Sequence, residues 1–268
     1  MVSRPAALTQ WIRSVAGTAL DRVRDAGPRG VEEVQSGPAA GVRLDGRAPN
    51  AMVHGNYEMT VQLCLQETLS PGDVVFDVGA NEGFFTLLAG RLVEPGGFVV
   101  AFEPSPRNLR RLRSNLRLNS LDCVQVLPVA ASDRTGRDTL LITRYGGGPT
   151  LMSAGEVPPD FIRRKRVGTV RIDDLVGKTL PLPDVVKIDV EGAEGLVLDG
   201  MNRTLSRRET TVLVEVDGPN DGSHRRKWES VDTQLRAIGY RVEHLDPAYV
   251  SGGAWAVGHT LARPTKRR

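Results

Sequence analysis

Three apolar runs in this chain of 268 residues end in carboxylates, and each is placed where an acid could meet a ligand. The first is Val74-Val75-Phe76-Asp77-Val78-Gly79-Ala80-Asn81-Glu82-Gly83-Phe84-Phe85-Thr86. It reads as a buried parallel strand, a Gly-x-x-x-Gly turn and an amphipathic helix. The second, Gly97-Phe98-Val99-Val100-Ala101-Phe102, runs into Glu103-Pro104, and the third is Lys187-Ile188-Asp189-Val190-Glu191-Gly192-Ala193-Glu194. Open α/β sheets bind small molecules at the carboxyl ends of their strands, so these acids are the candidates for chemistry.

The first turn differs from the dinucleotide fingerprint Gly-x-Gly-x-x-Gly, because Asn81 stands where its second glycine belongs. Asp77 and Glu82 flank the turn and would repel a pyrophosphate, whereas they suit a cationic ligand such as one bearing an ammonium and a sulfonium. Glu103 follows Gly83 at the distance from which an acid can accept hydrogen bonds from both ribose hydroxyls; the plainer alternative is that it caps the helix through Pro106-Arg107-Asn108. Pro104 ends the strand.

At this point the chain resembles the FkbM-type methyltransferases. The words that carry the likeness are Asp77-Val78-Gly79-Ala80-Asn81-x-Gly83-Phe84-x-Thr86, Phe102-Glu103-Pro104-x-Pro106, Asn115-x3-Asn119 and Lys187 to Glu194, with Gly55-Asn56-Tyr57-Glu58 and Arg171-Ile172-Asp173-Asp174-Leu175. The likeness runs from about Gly55 to about Asp246. It implies a class I, Rossmann-like fold and S-adenosylmethionine as cofactor, with O-methylation of a hydroxyl on a sugar, polyketide or related metabolite. Asp77, Gly79, Asn81, Gly83, Glu103, Ala131 and Asp133 are the expected cofactor set. Glu82 departs from the family, which usually has an apolar residue there; facing the pocket, it would alter ligand contacts. A nicotinamide-dependent oxidoreductase and a non-catalytic cofactor-binding protein are the competing readings.

S-adenosylmethionine brings its own leaving group, so the protein has mainly to align the acceptor and remove a hydroxyl proton. On a strand, Lys187, Asp189 and Glu191 point to one face. Ionisable groups on a strand buried on both faces are costly without a partner or a task. Asp189 is the first choice as base or acceptor-orienting group, with Lys187 as its charge partner. Glu215, ending Val212-Leu213-Val214-Glu215-Val216, is the natural second carboxylate. Glu191, His224 and Tyr57 are the expected acceptor contacts, but Glu191 could instead hold the turn before Gly192, and His224 could be an alternative base or ordinary surface. Glu194 suits either a helix N-terminus or the pocket. Asp189 and Glu215 with Asp217 or Asn220 offer oxygens that Mg²⁺ accepts, without a specific metal signature, so Mg²⁺ is possible but not expected. His54, His224, His244 and His259 show no zinc-like spacing. Adenine is expected near Val129-Ala130-Ala131-Ser132-Asp133, where small residues let a ring approach and Asp133 either accepts the exocyclic amine or forms a turn with Gly136.

Alternating elements position these residues. Strands are expected at 74–78, 97–102, 124–130, 184–189 and 211–216, with helices at 83–93, 105–118, 192–206 and 224–238. Final strands near 240–245 and 254–260 make an antiparallel hairpin at one end of a doubly wound, mostly parallel, seven-stranded sheet. A helix at 58–68 precedes the first turn. Between strands 138–143 and 167–171, Tyr145-Gly146-Gly147-Gly148-Pro149 and Val157-Pro158-Pro159-Asp160 frame a loop, read either as a substrate lid or as a surface connection. Residues 1–50 form an N-terminal extension, a helix with Leu8, Trp11, Ile12, Val15, Ala19 and Val23 on one face and then a Gly- and Pro-rich lead-in with short strands. Residues 51–268 form the methyltransferase domain.

Composition fits one sizeable core: 40% of the residues are apolar and the net charge is +3. Arg163-Arg164-Lys165-Arg166 and Lys266-Arg267-Arg268 are short basic runs without interleaved aromatics, so nucleic acid is not an expected partner. Cys64 and Cys123 lack CxxC spacing and read as reduced thiols of a cytoplasmic protein. Neither a signal peptide nor a membrane span is expected, and the first helix suits a docked element or an arm to a second copy of the chain.

Overall fold

The computed structural model describes residues 30–143, 148–155, 157–158, 161–218, 220–246 and 256–265. The expected first helix and the basic C-terminal run lie outside them. Strands β1 (Val31–Glu33) and β2 (Arg43–Asp45) lead to helices α1 (Asn50–His54) and α2 (Met59–Thr68), then β3 (Val74–Val78), α3 (Phe84–Val93), β4 (Phe98–Phe102), α4 (Pro106–Asn119) and β5 (Val124–Leu127). Next come β6 (Ala130–Ala131), β7 (Gly136–Thr143), β8 (Thr150–Leu151) and β9 (Phe161–Val170). The chain closes with β10 (Val185–Ile188), α5 (Glu194–Gly200), α6 (Asn202–Leu205), β11 (Thr211–Gly218), α7 (Asp221–Ala237), β12 (Tyr240–Leu245) and β13 (Ala256–Pro264).

The main sheet has seven strands in the order β12-β13-β11-β10-β3-β4-β5, parallel except where β13 inserts antiparallel between β11 and β12. Successive side chains of its central strands enter opposite layers. Phe76, Val78, Val100, Phe102 and Ile188 pack with Val197 and Leu235 on one face. Val75, Val99, Val185 and Leu213 pack with Phe84, Leu87 and Val61 on the other. Burial on both faces explains why these strands read as continuous apolar runs. The doubly wound α/β class and the C-terminal antiparallel pair match expectation.

Two expected elements divide, each for a visible reason. The strand expected over 124–130 stops at Leu127, and Ala130–Ala131 pairs with β9 in a second sheet, ordered β6-β9-β7-β8. The helix expected over 192–206 breaks at Met201. Asp173, 5% exposed, accepts the N–H of Arg203 (2.9 Å) and of Thr204 (2.8 Å) and so starts α6 as a separate helix. The expected loop between β7 and β9 is largely this second sheet, because both strands are longer than their apolar cores suggested.

The lead-in is built into the core. Val34, Ala39, Val42 and Leu44 share the layer of Val75 and Leu87. Asn119 brackets Arg43 like a sheet edge, accepting its N–H (2.8 Å) and donating to its carbonyl (2.7 Å). One turn earlier, Asn115 accepts the N–H of Asp45 (2.8 Å) and donates to the carbonyl of Glu82 (2.8 Å), tying the hairpin to the turn after β3. Cys64 and Cys123 are free thiols. Among the described residues no helix is long and apolar enough to cross a membrane.

Candidate active site

A cavity lies at the carboxyl edge of the main sheet, with about 830 Å³ of space between its walls when the open solvent at its mouth is included. Gly79, Asn81, Phe102, Glu103 and Asn108 line one half, and Glu58, Asp189, Glu191 and Glu215 line the other. Leu140 and Leu151 of the second sheet, and Gly148 and Pro149 just before β8, also line it.

The first half is organised by backbone. Gly79 has φ 86°, and its N–H and that of Ala80 both donate to the Phe102 carbonyl (3.0 Å each), locking the turn onto the end of β4. Asn81, at φ 49°, donates its N–H to Glu103 Oε2 (2.8 Å), while the Ser105 N–H donates to Oε1 (2.7 Å). Glu103 therefore lines the cavity and holds the start of α4 as well. It is 4% exposed, and burial pushes its carboxyl up to about 8. Ala130 and Ala131 line the cavity. Asp133 does not; it accepts the Ser132 hydroxyl (3.1 Å) in the turn toward β7.

Three residues of the expected cofactor turn lie off the cavity lining. Asp77 is 2% exposed beneath the turn, where Oδ2 accepts the Thr86 hydroxyl (2.5 Å) and Lys187 is its partner on the neighbouring strand. Glu82 is paired with Arg111 on α4 rather than with the pocket. Gly83 serves packing, since a Cβ there would come within 2.4 Å of Leu112. The acidic surroundings inferred from Asp77 and Glu82 are present, but other carboxylates supply them.

In the second half, Lys187 Nζ donates to Asp189 Oδ2 (2.9 Å) and sits over the Phe85 ring (4.7 Å). Burial pulls its pKa down, but Asp189, Asp77, Glu58 and Glu215 outweigh that and hold the ammonium above its ordinary range. Glu215 Oε2 lies 2.9 Å from His259 Nε2, and Glu58 Oε2 lies 3.9 Å from the same nitrogen. The cross-strand pairing of β11 with β13 sets Glu215 opposite His259. Burial, then Asp189, pushes Glu58 up to about 7, and burial raises Glu215 well above the carboxylate range. Burial and then Lys187 lower His259 to about 4, so its ring is neutral.

Glu191, at φ 57°, accepts the Gly148 N–H (2.5 Å) and so reaches the segment before β8. The turn before α5 is held instead by Glu194, which accepts the Gly192 N–H (2.7 Å) and is pushed up to about 8 by burial. Tyr57 lines the cavity, its ring edge-on to Phe84 (5.4 Å). His224 is off the cavity lining; it packs on Trp228 (4.8 Å), and burial lowers its pKa.

The oxygen set Asp189, Glu215, Asp217 and Asn220 does not gather. Asn220 caps α7 through the Ser223 N–H (2.9 Å), and Asp189 faces Lys187. The metal-compatible group among the described residues is Glu58, Glu215 and His259, whose ligating atoms lie within 4.8 Å of one another. Glu58 and His259 were not singled out from the sequence. The signal for His259 is an ionisable residue inside the apolar strand β13, the same cost of burial that drew attention to Lys187.

Residues 77–242 match the sequence model described as "Methyltransferase FkbM domain". The chain is 30% identical over 219 residues to AMB antimetabolite synthetase AmbE of Pseudomonas aeruginosa, covering 69% of this chain and 10% of that protein. It is 32% identical over 176 residues to 31-O-demethyl-FK506 methyltransferase FkbM of Streptomyces tacrolimicus, covering 55% and 66%. With 2-O-methyltransferase NoeI of Sinorhizobium fredii it shares 30% over 152 residues, covering 51% and 60%. The chain spans less than two thirds of the length of each of these relatives. From the match to its domain model, the chain belongs to the FkbM methyltransferase family.

Proposed function

We propose that the chain is an S-adenosylmethionine-dependent O-methyltransferase acting on a hydroxyl of a sugar, polyketide or related metabolite. The observation that carries this reading is the division of one cavity into two halves. One half offers Glu103 beside the turn N–H groups, and the other a carboxylate, Asp189, held by a buried lysine. The donor set suits the cofactor: five carboxylates line the cavity, and among the described residues its lining holds no lysine, arginine or histidine. A nicotinamide dinucleotide would bring a pyrophosphate into that field, so the oxidoreductase reading is disfavoured. Two relatives carry O-methyl positions in their names, the 31-O-demethyl-FK506 and 2-O-methyl enzymes, which supports oxygen as the methyl acceptor.

Glu103 would accept ribose hydroxyls with its oxygens already oriented by the Asn81 and Ser105 N–H groups. The cofactor, when bound, supplies a methyl group on a sulfonium leaving group. Asp189, oriented by Lys187, would orient the acceptor hydroxyl and take its proton. Glu215, braced by His259, is the second carboxyl beside the transfer. The second sheet would exclude water from this transfer.

The test is titration calorimetry with S-adenosylmethionine, S-adenosylhomocysteine and NAD, followed by methyl transfer from labelled cofactor to a hydroxyl-acceptor library. Binding of the first two with transfer to oxygen is the expected result. Binding of NAD alone would overturn it, and cofactor binding without any transfer would favour a non-catalytic binder.

A further inference from the structure

We infer that the acceptor half of the cavity takes a hydroxyl compound that also carries an ammonium group, and turns away carboxylated or phosphorylated acceptors. The inference rests on the methyl-transfer reading above. With Glu103 assigned to the cofactor and Asp189 paired with Lys187, three further carboxylates, Glu58, Glu191 and Glu215, still face the same cavity. In the empty cavity burial, and after it the neighbouring carboxylates, hold Glu58, Glu191 and Glu215 toward their protonated forms, so an entering ammonium would draw protons off them and be met by the carboxylates that form. Glu58 supplies an independent sign of a missing donor. Its side chain is 3% exposed and the carboxyl interacts with the Tyr57 hydroxyl and with Glu215, but the Oε2 atom, 3.9 Å from His259 Nε2, is buried without a hydrogen-bond partner of its own. An ammonium has three donors and no acceptor, the complement of such a group. An anionic acceptor would instead be desolvated against carboxylates.

A divalent ion is the rival occupant, since Glu58, Glu215 and His259 could ligate one. A ligating imidazole, however, normally has its second nitrogen held by a hydrogen bond. His259 Nδ1 is buried and has no partner among the described residues, so the cluster is not braced for a metal. An ammonium also settles where the methyl group goes. A protonated amine has no lone pair, so the S–CH₃ bond breaks as an O–CH₃ bond forms. The hydroxyl proton passes to a carboxylate, and the sulfonium becomes a thioether.

The experiment uses the full chain saturated with S-adenosylhomocysteine, whose binding is measured first by calorimetry. Matched probes are then compared by saturation-transfer NMR: glucosamine, N-acetylglucosamine and glucuronate, and serinol, N-acetylserinol and glycerate. In each triplet the amine should bind at least tenfold more tightly than the carboxylate. Glu58→Gln and Glu191→Gln should each narrow that ratio at least threefold while S-adenosylhomocysteine affinity holds. Equal or better binding of the carboxylates, binding of no amine, an unchanged ratio in both variants, methylation on nitrogen, or amine binding only with added Mn²⁺ would each overturn the inference. Failure to bind S-adenosylhomocysteine would bring down the methyl-transfer reading and this inference together; cofactor binding without amine preference would sink this inference alone.

Discussion

Gly79 lies against the carbonyl oxygen of Asp189 so closely that a Cβ built on Gly79 would stand 1.7 Å from it. The contact joins the two halves of the cavity, because Gly79 follows β3 in the half that holds Glu103 and Asp189 follows β10 in the half that holds Glu58 and Glu215. The turn glycine thus sets the distance between the two halves as well as making its own bend.

Gly79→Ala should therefore fail twice. The left-handed backbone (φ 86°) costs a side chain roughly 1–2 kcal/mol, and forcing a methyl group into backbone costs about 1–3 kcal/mol more. Thermal unfolding should fall by roughly 10 °C for a chain of this size, and S-adenosylhomocysteine binding should be lost in the protein that still folds. A variant that unfolds like the parent would show that the two strand ends are free to separate.

The proposed ribose contact of Glu103 should make cofactor affinity depend on pH. Burial, the largest influence, keeps its carboxyl protonated up to about 8, while ribose hydroxyls need the ionised acceptor. Calorimetric affinity for S-adenosylhomocysteine should rise as pH climbs from 6.5 toward 8.5. Complexation should release close to one proton near neutrality, read from the heats in buffers of different ionisation enthalpy. Glu103→Gln should weaken binding at least about tenfold and flatten the pH dependence. A pH-independent affinity in the parent would remove Glu103 from the ribose contact.

Burial of carboxyls also shapes stability. Glu58 (about 7), Glu103 and Glu194 (each about 8) keep protons in the folded chain that the unfolded chain releases near 4.5. Their contribution is complete below about 4.5 and is lost as pH rises through 7 to 8. His259 acts in the other direction: with a folded value of about 4 against 6.5, its contribution is present above 6.5 and fades as pH falls. The cofactor-free chain should unfold at its highest temperature at mildly acid pH and lose stability from pH 6 to pH 8.5. A circular-dichroism melt series at fixed ionic strength checks this; a rise over that interval would contradict the protonated state of these carboxyls.

The central strands and the turn at 79–83 could be read ahead of the structure because local signals coincide there: β-branched runs, a glycine spacing and an acid at the strand end. Asp189 and Lys187 were readable on the cost of burying charge. The Glu58–Glu215–His259 cluster was not, since it depends on β13 entering the sheet antiparallel beside β11. That insertion brings together residues from distant parts of the chain, and no short window records it. Asp77 and Glu82 misled for a related reason. Both stand beside the turn in sequence, but Thr86 below and Arg111 on the adjoining helix engage their side chains.

Lys187 is the hub on which the acidic side of the cavity depends, and its removal separates stability from chemistry. The ammonium is 3% exposed, bonded to Asp189 and surrounded electrostatically by Asp77, Glu58 and Glu215. Lys187→Met fills much the same space without the charge, so the penalty should come from the carboxylates left behind. Breaking a buried ion pair from one side costs about 3–5 kcal/mol. That cost should appear at pH 8, where the partners must ionise, and shrink at pH 5, where Glu58 and Glu215 hold protons. Asp189→Asn keeps a polar partner for Lys187 and lies outside the Glu103 half, so cofactor affinity should change by less than about threefold, while turnover falls by at least about 100-fold through loss of the proton acceptor. Melts of Lys187→Met at pH 5 and pH 8, with kcat and cofactor Kd for Asp189→Asn, give the comparison. Equal destabilisation at both pH values would mean that Lys187 acts by packing alone, and unimpaired turnover in Asp189→Asn would remove Asp189 from the proton-accepting role.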